Sequence, residues 1–330
     1  MSRFLPAKAI PVEDVTALHK GPLRHRERRQ RHRPAGEPFD ADLHGVEVLA
    51  KADGVAFVER HHYEKSYCAA RFQVGLYRAR RRFVRGLSLG AELVGVCAFA
   101  EPMQPAAGLR LAPDLDRHQV VSLSRLVLLD HIEGNAESWF VARAFEALQR
   151  AKPDVRLVVS YSDPAVRRAL DGKPTLPGHV GTVYKALGAV YTGRSEPDTL
   201  WLAPDGTAIT RRSFSKVRND ELGGPSTYER LVAYGAPRLQ LGESAARWIE
   251  RAMLEGPFRC LRHPGNHRYA WRLDGLPVVG ARPVEGAPRR QGLGGLEVVA
   301  SALPWALGDH PTLARPVGDA RVLDLLLEAA

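Results

Sequence analysis

Cysteines are too few and too scattered in this chain to hold a fold together through disulfide bonds. Cys68, Cys97 and Cys260 are odd in number and form no CxxC pair, so their spacing predicts neither a disulfide framework nor a zinc site. Long apolar runs are also lacking, since none approaches the roughly 18 residues that span a bilayer. The start of the chain has no apolar signal core. We therefore expect a protein of the reducing cytoplasm.

Positive charge is what the chain has in excess, with a formal net charge of +10 and a pI of about 9.8. Residues 19–34 carry seven lysines and arginines against one glutamate, and a second cluster lies within 78–85. Such clusters attract phosphates through counterion release. The alternative is a solubilising tail combined with a general arginine bias. The residues predicted to contact double-stranded DNA are Arg28, Arg29, Arg31, Arg80, Arg81 and Arg82.

Composition divides the chain into three parts. Residues 1–40 have few large apolar side chains, many charges and the prolines Pro22, Pro34 and Pro38, which predicts a flexible basic arm. Residues 41–275 carry the regular apolar patterns and form the expected catalytic domain. Residues 276–330 are rich in glycine and proline until a short apolar helix at 322–329, and we treat them as an extension of unknown role.

The apolar pattern predicts a βαβ unit at the centre of the domain. Residues 120–129 and 155–160 are apolar runs of strand length, and 136–150 has the spacing of an amphipathic helix capped by Asn135. The crossover between them should be right-handed and the strands parallel. We expect an α/β (α+β) fold with a central mixed sheet flanked by helices, and by fold-level analogy alone it is GNAT-like.

Outside that unit the predictions are more local. Residues 44–63 have helix-like spacing, whereas 72–84 fit either a strand and turn or a helix. Further strands are expected at 93–100, from Tyr191 and at 267–271. The remaining predictions are a short helix at 182–189 and a hairpin formed by 199–203 and 208–209.

Polar residues gather where the strand at 155–160 ends. Asp163 follows the strand directly, and a glycine-rich loop then brings in Gly178, His179 and Tyr184. Ligands of open α/β folds bind at this edge of the sheet. Asp163 is therefore a candidate general base or metal ligand, and the alternative is a simple Asx turn. Tyr184 is a candidate proton relay or ligand.

Ser124 and Arg125 lie inside an apolar strand. An isolated buried guanidinium is very costly, so Arg125 must be paired or face a cavity. We favour an arginine that faces an anionic donor group. Structural pairing with Asp163 on the adjacent strand is the alternative.

Two further sets of residues could hold cofactors. The first set is His62, Tyr63, Asp163 and Tyr184. Its oxygen and nitrogen atoms suit iron(II). The alternative is that His62 and Tyr63 are ordinary polar residues of the surface. The turn at 134–138 begins a helix, where free N–H groups attract anions, although a plain capped helix fits as well and the GNAT pattern RGxGxA is absent. The residues predicted to contact an acyl-CoA-like donor are Asn135, Ala136, Glu137, Ser138, Gly178 and His179.

An ordered series of motifs resembles the phage Mom family over roughly residues 45–275. These motifs are Ser124-Arg125-Leu126, Asn135-Ala136-Glu137-Ser138, Tyr161-Ser162-Asp163-Pro164, the run from Gly178 to Ala186, Tyr191-Thr192-Gly193-Arg194 and His267-Arg268-Tyr269. Members of that family are similar to GNAT acyltransferases and modify DNA. The resemblance implies that the chain attaches a carbamoylmethyl group to the exocyclic amine of adenine, which shields phage DNA from restriction in the bacterial host.

The resemblance also implies roles for single residues. Ser124, Arg125, Asp163, Tyr184 and the His62–Tyr63 pair would surround the adenine and the donor, with iron as a suggested metal. The 13 residues between Pro164 and Gly178 are longer than the usual family link. Two other functions stay open, a GNAT N-acetyltransferase acting on a small amine or protein and a non-catalytic DNA-binding accessory protein.

Overall fold

The structure, a computed structural model, describes residues 8–16, 39–64, 66–79 and 90–282. These residues form two compact units. Within the described ranges, the larger unit runs over 39–161, 181–193 and 267–282, and the smaller unit over 8–16, 162–180 and 194–266. The chain passes between the units several times. The predicted boundaries at residues 40 and 275 stay a prediction.

The elements are numbered in chain order. The strands are β1 (Ala9–Ile10), β2 (His44–Val48), β3 (Ala70–Arg78), β4 (Glu92–Ala100), β5 (Val120–Leu128), β6 (Leu157–Ser162), β7 (Arg167–Arg168), β8 (Pro174–Leu176), β9 (Val190–Arg194), β10 (Asp198–Leu202), β11 (Ala208–Ile209), β12 (Arg259–His263) and β13 (His267–Arg272). The helices are α1 (Lys51–His61), α2 (Pro105–Leu109), α3 (Ala136–Ala151), α4 (Thr182–Ala186), α5 (Arg211–Arg218), α6 (Gly224–Ala233) and α7 (Ala245–Glu255). None of these described helices is long and apolar enough to cross a bilayer.

A seven-stranded sheet forms the centre of the larger unit, in the order β2-β3-β4-β5-β6-β13-β9. Strands β2 to β5 are antiparallel to their neighbours, whereas β5 and β6 are parallel and are joined through α3. The predicted βαβ unit is therefore confirmed. The α/β class with a mixed central sheet flanked by helices is confirmed as well.

Apolar side chains cover both faces of this sheet. One face packs on α3 and α4 through a large core that contains Phe140, Phe145 and Trp271. The other face has two smaller cores, one under α1 and one under the segment 109–115. Burying each large apolar side chain contributes about 1.5–3 kcal/mol, so the central strands are fixed from both sides.

The start of the larger unit differs from its prediction. Residues 44–48 form strand β2 rather than the beginning of a helix, and α1 begins only at Lys51. The reason is pairing, because β2 lies antiparallel to β3, with Val46 opposite Leu76. The same ladder shows that residues 70–78 are a strand, which the sequence left open.

Helix α3 begins as predicted, but its cap differs. Asn135 occupies the N-cap position in a left-handed conformation, with φ of 67°, and its side chain makes no cap hydrogen bond. Instead, the Ser138 hydroxyl donates to the Asn135 carbonyl at 2.9 Å. Asn135 is therefore the N-cap residue as predicted, but its side chain does not make the capping bond.

The smaller unit has a four-stranded sheet in the order β1-β12-β10-β11. Helices α5, α6 and α7 pack around Trp248 and Phe214 against this sheet. The predicted hairpin of β10 and β11 is confirmed. The stretch 165–177, expected as an inserted loop, contains the small hairpin of β7 and β8.

The start of α4 requires glycine at position 181. Gly181 has φ of 65°, and a Cβ built there would lie 2.7 Å from ring carbons of both Tyr184 and Tyr269. Gly188, just after α4, has φ of 70°, and nothing lies within 4 Å of its Cβ position. The two glycines share the backbone conformation and differ in the space around them.

We expect Gly181→Ala to lower the free energy of unfolding by at least about 3 kcal/mol, because left-handed strain of about 1–2 kcal/mol adds to overpacking. Gly188→Ala is the matched control and should show the strain alone. Urea denaturation of both variants measures the difference. Equal losses would show that the ring contacts do not constrain residue 181.

Candidate active site

A β-bulge at Ser124 decides where the side chains of β5 point. Ala98 of β4 lies opposite Arg125, while the next residue, Phe99, lies opposite Leu123, so Ser124 is an extra residue in β5. Before the bulge, Leu123 faces the core under α3, and after it Leu126 faces that core again. Arg125 therefore shares its face with Val127, which packs in the core under α1.

Arg125 is paired, and its partner is Glu64. The Nη2 atom lies 2.8 Å from Glu64 Oε2 and donates to the Ser66 hydroxyl at 3.1 Å. Its Nε donates to the Ser66 carbonyl at 2.9 Å, and Nη1 to the Ser124 carbonyl at 2.7 Å. The sequence correctly required a partner for this charge, but the suggested partner Asp163 is wrong. With these bonds made, the guanidinium has little left for an anionic donor.

The His62–Tyr63 pair adjoins this ion pair. The His62 Nδ1 atom accepts the Glu64 N–H at 3.1 Å, so the neutral ring carries its proton on Nε2. The two rings pack with centroids 4.0 Å apart, and His62 is buried. Arg125 and Glu64 thus fix the segment that holds the pair.

Strands β5 and β6 part shortly after they meet. Their parallel ladder runs only from the pair Val120–Leu157 to the pair Ser122–Val159. At the next position the Ser160 hydroxyl donates to the Leu123 carbonyl at 3.0 Å. The ladder between the two strands therefore ends at the pair Ser122–Val159.

Two tyrosines pack on opposite faces of the sheet near β5, Tyr184 in the core under α3 and α4 and Tyr67 against the core under α1. Burial raises the pKa of Tyr184, although a hydrogen bond with Ser160 and the charge of Arg125 act the other way. Burial raises the pKa of Tyr67 to about 12. The Tyr67 hydroxyl is buried and has no hydrogen-bond partner within the described part of the chain. Both phenols therefore stay protonated and can donate a hydrogen bond. Sequence reasoning missed Tyr67, which carries no motif signal, and it missed Glu64.

Asp163 lies in the smaller unit, in a dense network. Its Oδ1 accepts the Ala165 N–H at 2.9 Å and the His263 Nε2–H at 2.7 Å, and its Oδ2 pairs with Arg167. Burial acts to raise the pKa of Asp163, but the bond from His263 and the charge of Arg167 outweigh it, so the pKa lies below the usual value. Both oxygens are engaged.

Asp163 therefore forms an Asx turn, the alternative that the sequence left open, and an ion pair with Arg167. A carboxylate with a lowered pKa is a weak base. The Asp163 carbonyl also accepts the His179 N–H at 2.7 Å, and a Cβ on Gly178 would lie 2.7 Å from the Pro164 carbonyl oxygen. Asp163 therefore shapes the loop that carries Gly178 and His179. The sequence missed His263, which lies 100 residues away.

The suggested iron ligands do not fit a metal site. Across the described residues, no three His, Cys, Asp or Glu side chains are placed to share an ion. The oxygens of Asp163 and the Nδ1 of His62 already accept other donors.

The start of α3 is also poorly suited to the predicted pyrophosphate. Glu137 lies buried in the first turn, and Glu133 lies just before it, 2.7 Å from Arg78. Carboxylates at this position already use the positive end of the helix dipole. The donor contacts predicted for Asn135, Ala136, Glu137 and Ser138 remain a prediction that this geometry disfavours.

The predicted DNA-contacting arginines fall outside the description. Arg28, Arg29 and Arg31 lie in 17–38, and Arg80, Arg81 and Arg82 lie in 80–89. Most of the excess positive charge of the chain is in these two stretches.

Several solved structures are similar to this chain. Malonyl-CoA decarboxylase from Cupriavidus metallidurans is 14% identical, with a TM-score of 0.29 over 72% of this chain and 62% of that chain. A tandem GNAT protein from the clavulanic acid biosynthesis pathway is 10% identical, with a TM-score of 0.33 over 69% of this chain and 98% of that chain. These likenesses are too loose to carry an argument about activity.

Relatives in sequence are more informative. The methylcarbamoylase Mom of Escherichia phage Mu is 29% identical over 122 residues, which cover 35% of this chain and 46% of that protein. The match thus spans about half the length of this curated relative. The model of the Mom protein family matches residues 44–269, well over half of the chain and almost the whole span that the motifs indicate. The chain belongs to the Mom protein family.

Proposed function

We propose that this protein is a DNA-modifying transferase that attaches a carbamoylmethyl group to the exocyclic amine of adenine. The observation that carries the proposal is membership of the Mom family over residues 44–269. The name of the phage Mu relative, a methylcarbamoylase, supports the same chemistry. The product would shield phage DNA from restriction in the cytoplasm of the host.

The chemistry sets two demands on the site. The adenine amine is a poor nucleophile, because its lone pair is delocalised into the ring. The donor must therefore be oriented and polarised where the new bond forms. A base in double-stranded DNA must also leave the stack before its amine can be reached.

The place where β5 and β6 separate is where the donor would bind and be oriented. Strand backbone that is not in a ladder binds extended, amide-containing ligands, and the arm of an acyl-CoA-like donor is such a ligand. A bound carbonyl oxygen would accept a hydrogen bond from the Tyr67 hydroxyl, which has no partner within the described residues. When bound, the donor supplies the group to be transferred, and this phenol holds and polarises it.

Arg125 and Asp163 each position a segment within their own unit. The contacts of Arg125 hold Glu64 and the preceding His62–Tyr63 pair, so we assign it to positioning rather than to binding the donor. Asp163 holds the loop that contains Gly178 and His179. The arginines at 28–31 and 80–82 are proposed to contact phosphates of the duplex, which would make binding salt-sensitive and largely independent of sequence.

We expect nucleosides from cells that express the full chain to contain an adenine adduct with the mass of a carbamoylmethyl group. Mass spectrometry of digested DNA measures the adduct. Cells that express the Tyr67→Phe chain serve as the comparison and should yield less of it. Unchanged DNA with tight acetyl-CoA binding would favour an acetyltransferase. Unchanged DNA with retention on DNA alone would favour an accessory protein.

The account predicts that Asp163→Asn lowers the free energy of unfolding by about 3 kcal/mol at neutral pH, because Arg167 and His263 lose a buried charged partner. The pKa of Asp163 is lower in the folded protein than in the unfolded chain. The stability that its carboxylate contributes is therefore complete above the unfolded pKa of about 3.9. It is lost as the pH falls through the folded pKa, so the gap between variant and parent should close in acid.

Asp171→Asn in the same hairpin is the control, since its partner Lys173 is mostly exposed, and its unfolding midpoint should not move. An Asp163→Asn protein as stable as its parent, yet unable to modify DNA, would instead make Asp163 the base.

A further inference from the structure

Alternation along the central strands places part of the family motifs on the opposite face of the sheet from Tyr184. Val159, Val190 and Ala270 pack in the core beside the segment 109–115. The residues two positions along on β6, β9 and β13 are Tyr161, Thr192 and Arg268, so they share that face. Because β13 lies between β6 and β9, Arg268 is the middle of this polar row.

Arg268 is fixed in place without a counter-ion. Its Nε donates to the Thr192 hydroxyl at 2.8 Å and its Nη2 to the Thr192 carbonyl at 3.0 Å. Of the carboxylates in the described ranges, none lies within 4.0 Å of this guanidinium. A half-buried arginine that is oriented by neutral acceptors keeps its full charge and part of its donor capacity.

A second arginine approaches the same strand one residue further along. Gly193 has φ of 92°, and a Cβ there would lie 3.1–3.3 Å from Cδ, Nη1 and Nε of Arg282. The Arg282 N–H donates to the Tyr191 carbonyl at 2.8 Å, which fixes the start of that side chain. Its guanidinium is also without a carboxylate partner in the part of the chain that the structure describes.

Tyr161 and Arg110 complete the group. Burial raises the pKa of Tyr161, and the positive charges of Arg268 and Arg110 act in the other direction, so both guanidinium groups act on this phenol. The hydroxyl stays protonated at neutral pH and can donate. Arg268 and Arg110 therefore lie near Tyr161, while Arg282 reaches the adjoining strand β9, and none of the three pairs with a carboxylate of the described residues.

We propose that Arg268 and Arg282, with Tyr161 beside them, bind a phosphate group. Guanidinium forks match phosphate oxygens in pairs, and a bound dianion or diester offsets the repulsion between like charges. The inference rests on the proposed function for its ligand, since DNA and a nucleotide-containing donor each bring phosphates to the protein. It adds a binding site beside β9, the edge strand of the seven-stranded sheet.

The test uses the full chain with Arg268→Gln and Arg282→Gln combined. Arg117→Gln with Arg150→Gln is the control, because both side chains are exposed cations of the larger unit and the change in charge is equal. Duplex DNA affinity is measured by fluorescence anisotropy over a range of NaCl concentrations. Thermal stabilisation by inorganic pyrophosphate is measured in parallel.

If the phosphate belongs to DNA, the double variant binds about tenfold more weakly than the control. The slope of log K against log salt then falls by about 0.9. If it belongs to the donor, DNA affinity matches the control but stabilisation by pyrophosphate is lost. Equal behaviour of variant and control in both assays overturns the site.

Arg282→Gln alone guards against a folding defect, since this side chain is exposed, and it should give part of the same loss. An unmodified adenine pool from the parent chain would refute the proposed function. The phosphate assays with purified protein would still decide the site.

Discussion

The single extra residue at Ser124 is the constraint on which the candidate site depends. It reverses the alternation of β5, so that Leu126 and Leu128 return to the core under α3 while Arg125 turns to the face of α1. There Arg125 meets Glu64 and Ser66, which follow α1 in the chain. Without the bulge the guanidinium would face the apolar core, where an unpaired charge is prohibitively costly.

Two networks of charged side chains, one in each unit, fix different segments of the protein. In the larger unit, Arg125 holds the segment of His62 and Tyr63 near the point where β5 and β6 part. In the smaller unit, Asp163 ties the start of the β7–β8 hairpin to His263 and to the loop before α4. Both charged residues are largely satisfied by the protein itself. The Tyr67 hydroxyl, in contrast, has no hydrogen-bond partner among the described residues, and Arg268 has no carboxylate partner among them.

Structural features that depend on residues close together in the chain could be predicted from the sequence. The strand 93–100, the helix from Ala136 and the parallel βαβ unit follow from apolar spacing alone, and all three are confirmed. The requirement that Arg125 be paired follows from the cost of burying charge. Its partner Glu64, and His263 beside Asp163, were not readable, because they depend on contacts across 61 and 100 residues. The bulge was hidden as well, since the residues around Ser124 have an ordinary strand pattern.

The same reasoning explains why the sequence left two roles open for Asp163. A polar residue that follows a buried strand can face a ligand or close a turn, and sequence alone does not separate the two. Asp163 has the contacts of the second kind. Tyr67 shows the converse, because nothing in its surroundings marks it, yet its buried hydroxyl has no partner within the described residues.

That hydroxyl gives the most direct test of the account. If this hydroxyl binds a ligand, Tyr67→Phe removes a buried group that is unsatisfied in the free protein. The free energy of unfolding of the variant should then equal or exceed that of the parent. Its rate of adenine adduct formation should nevertheless fall at least about tenfold. Tyr77→Phe, in the neighbouring strand β3, should leave that rate unchanged. A Tyr67→Phe protein that is less stable than its parent and fully active would contradict the proposed site.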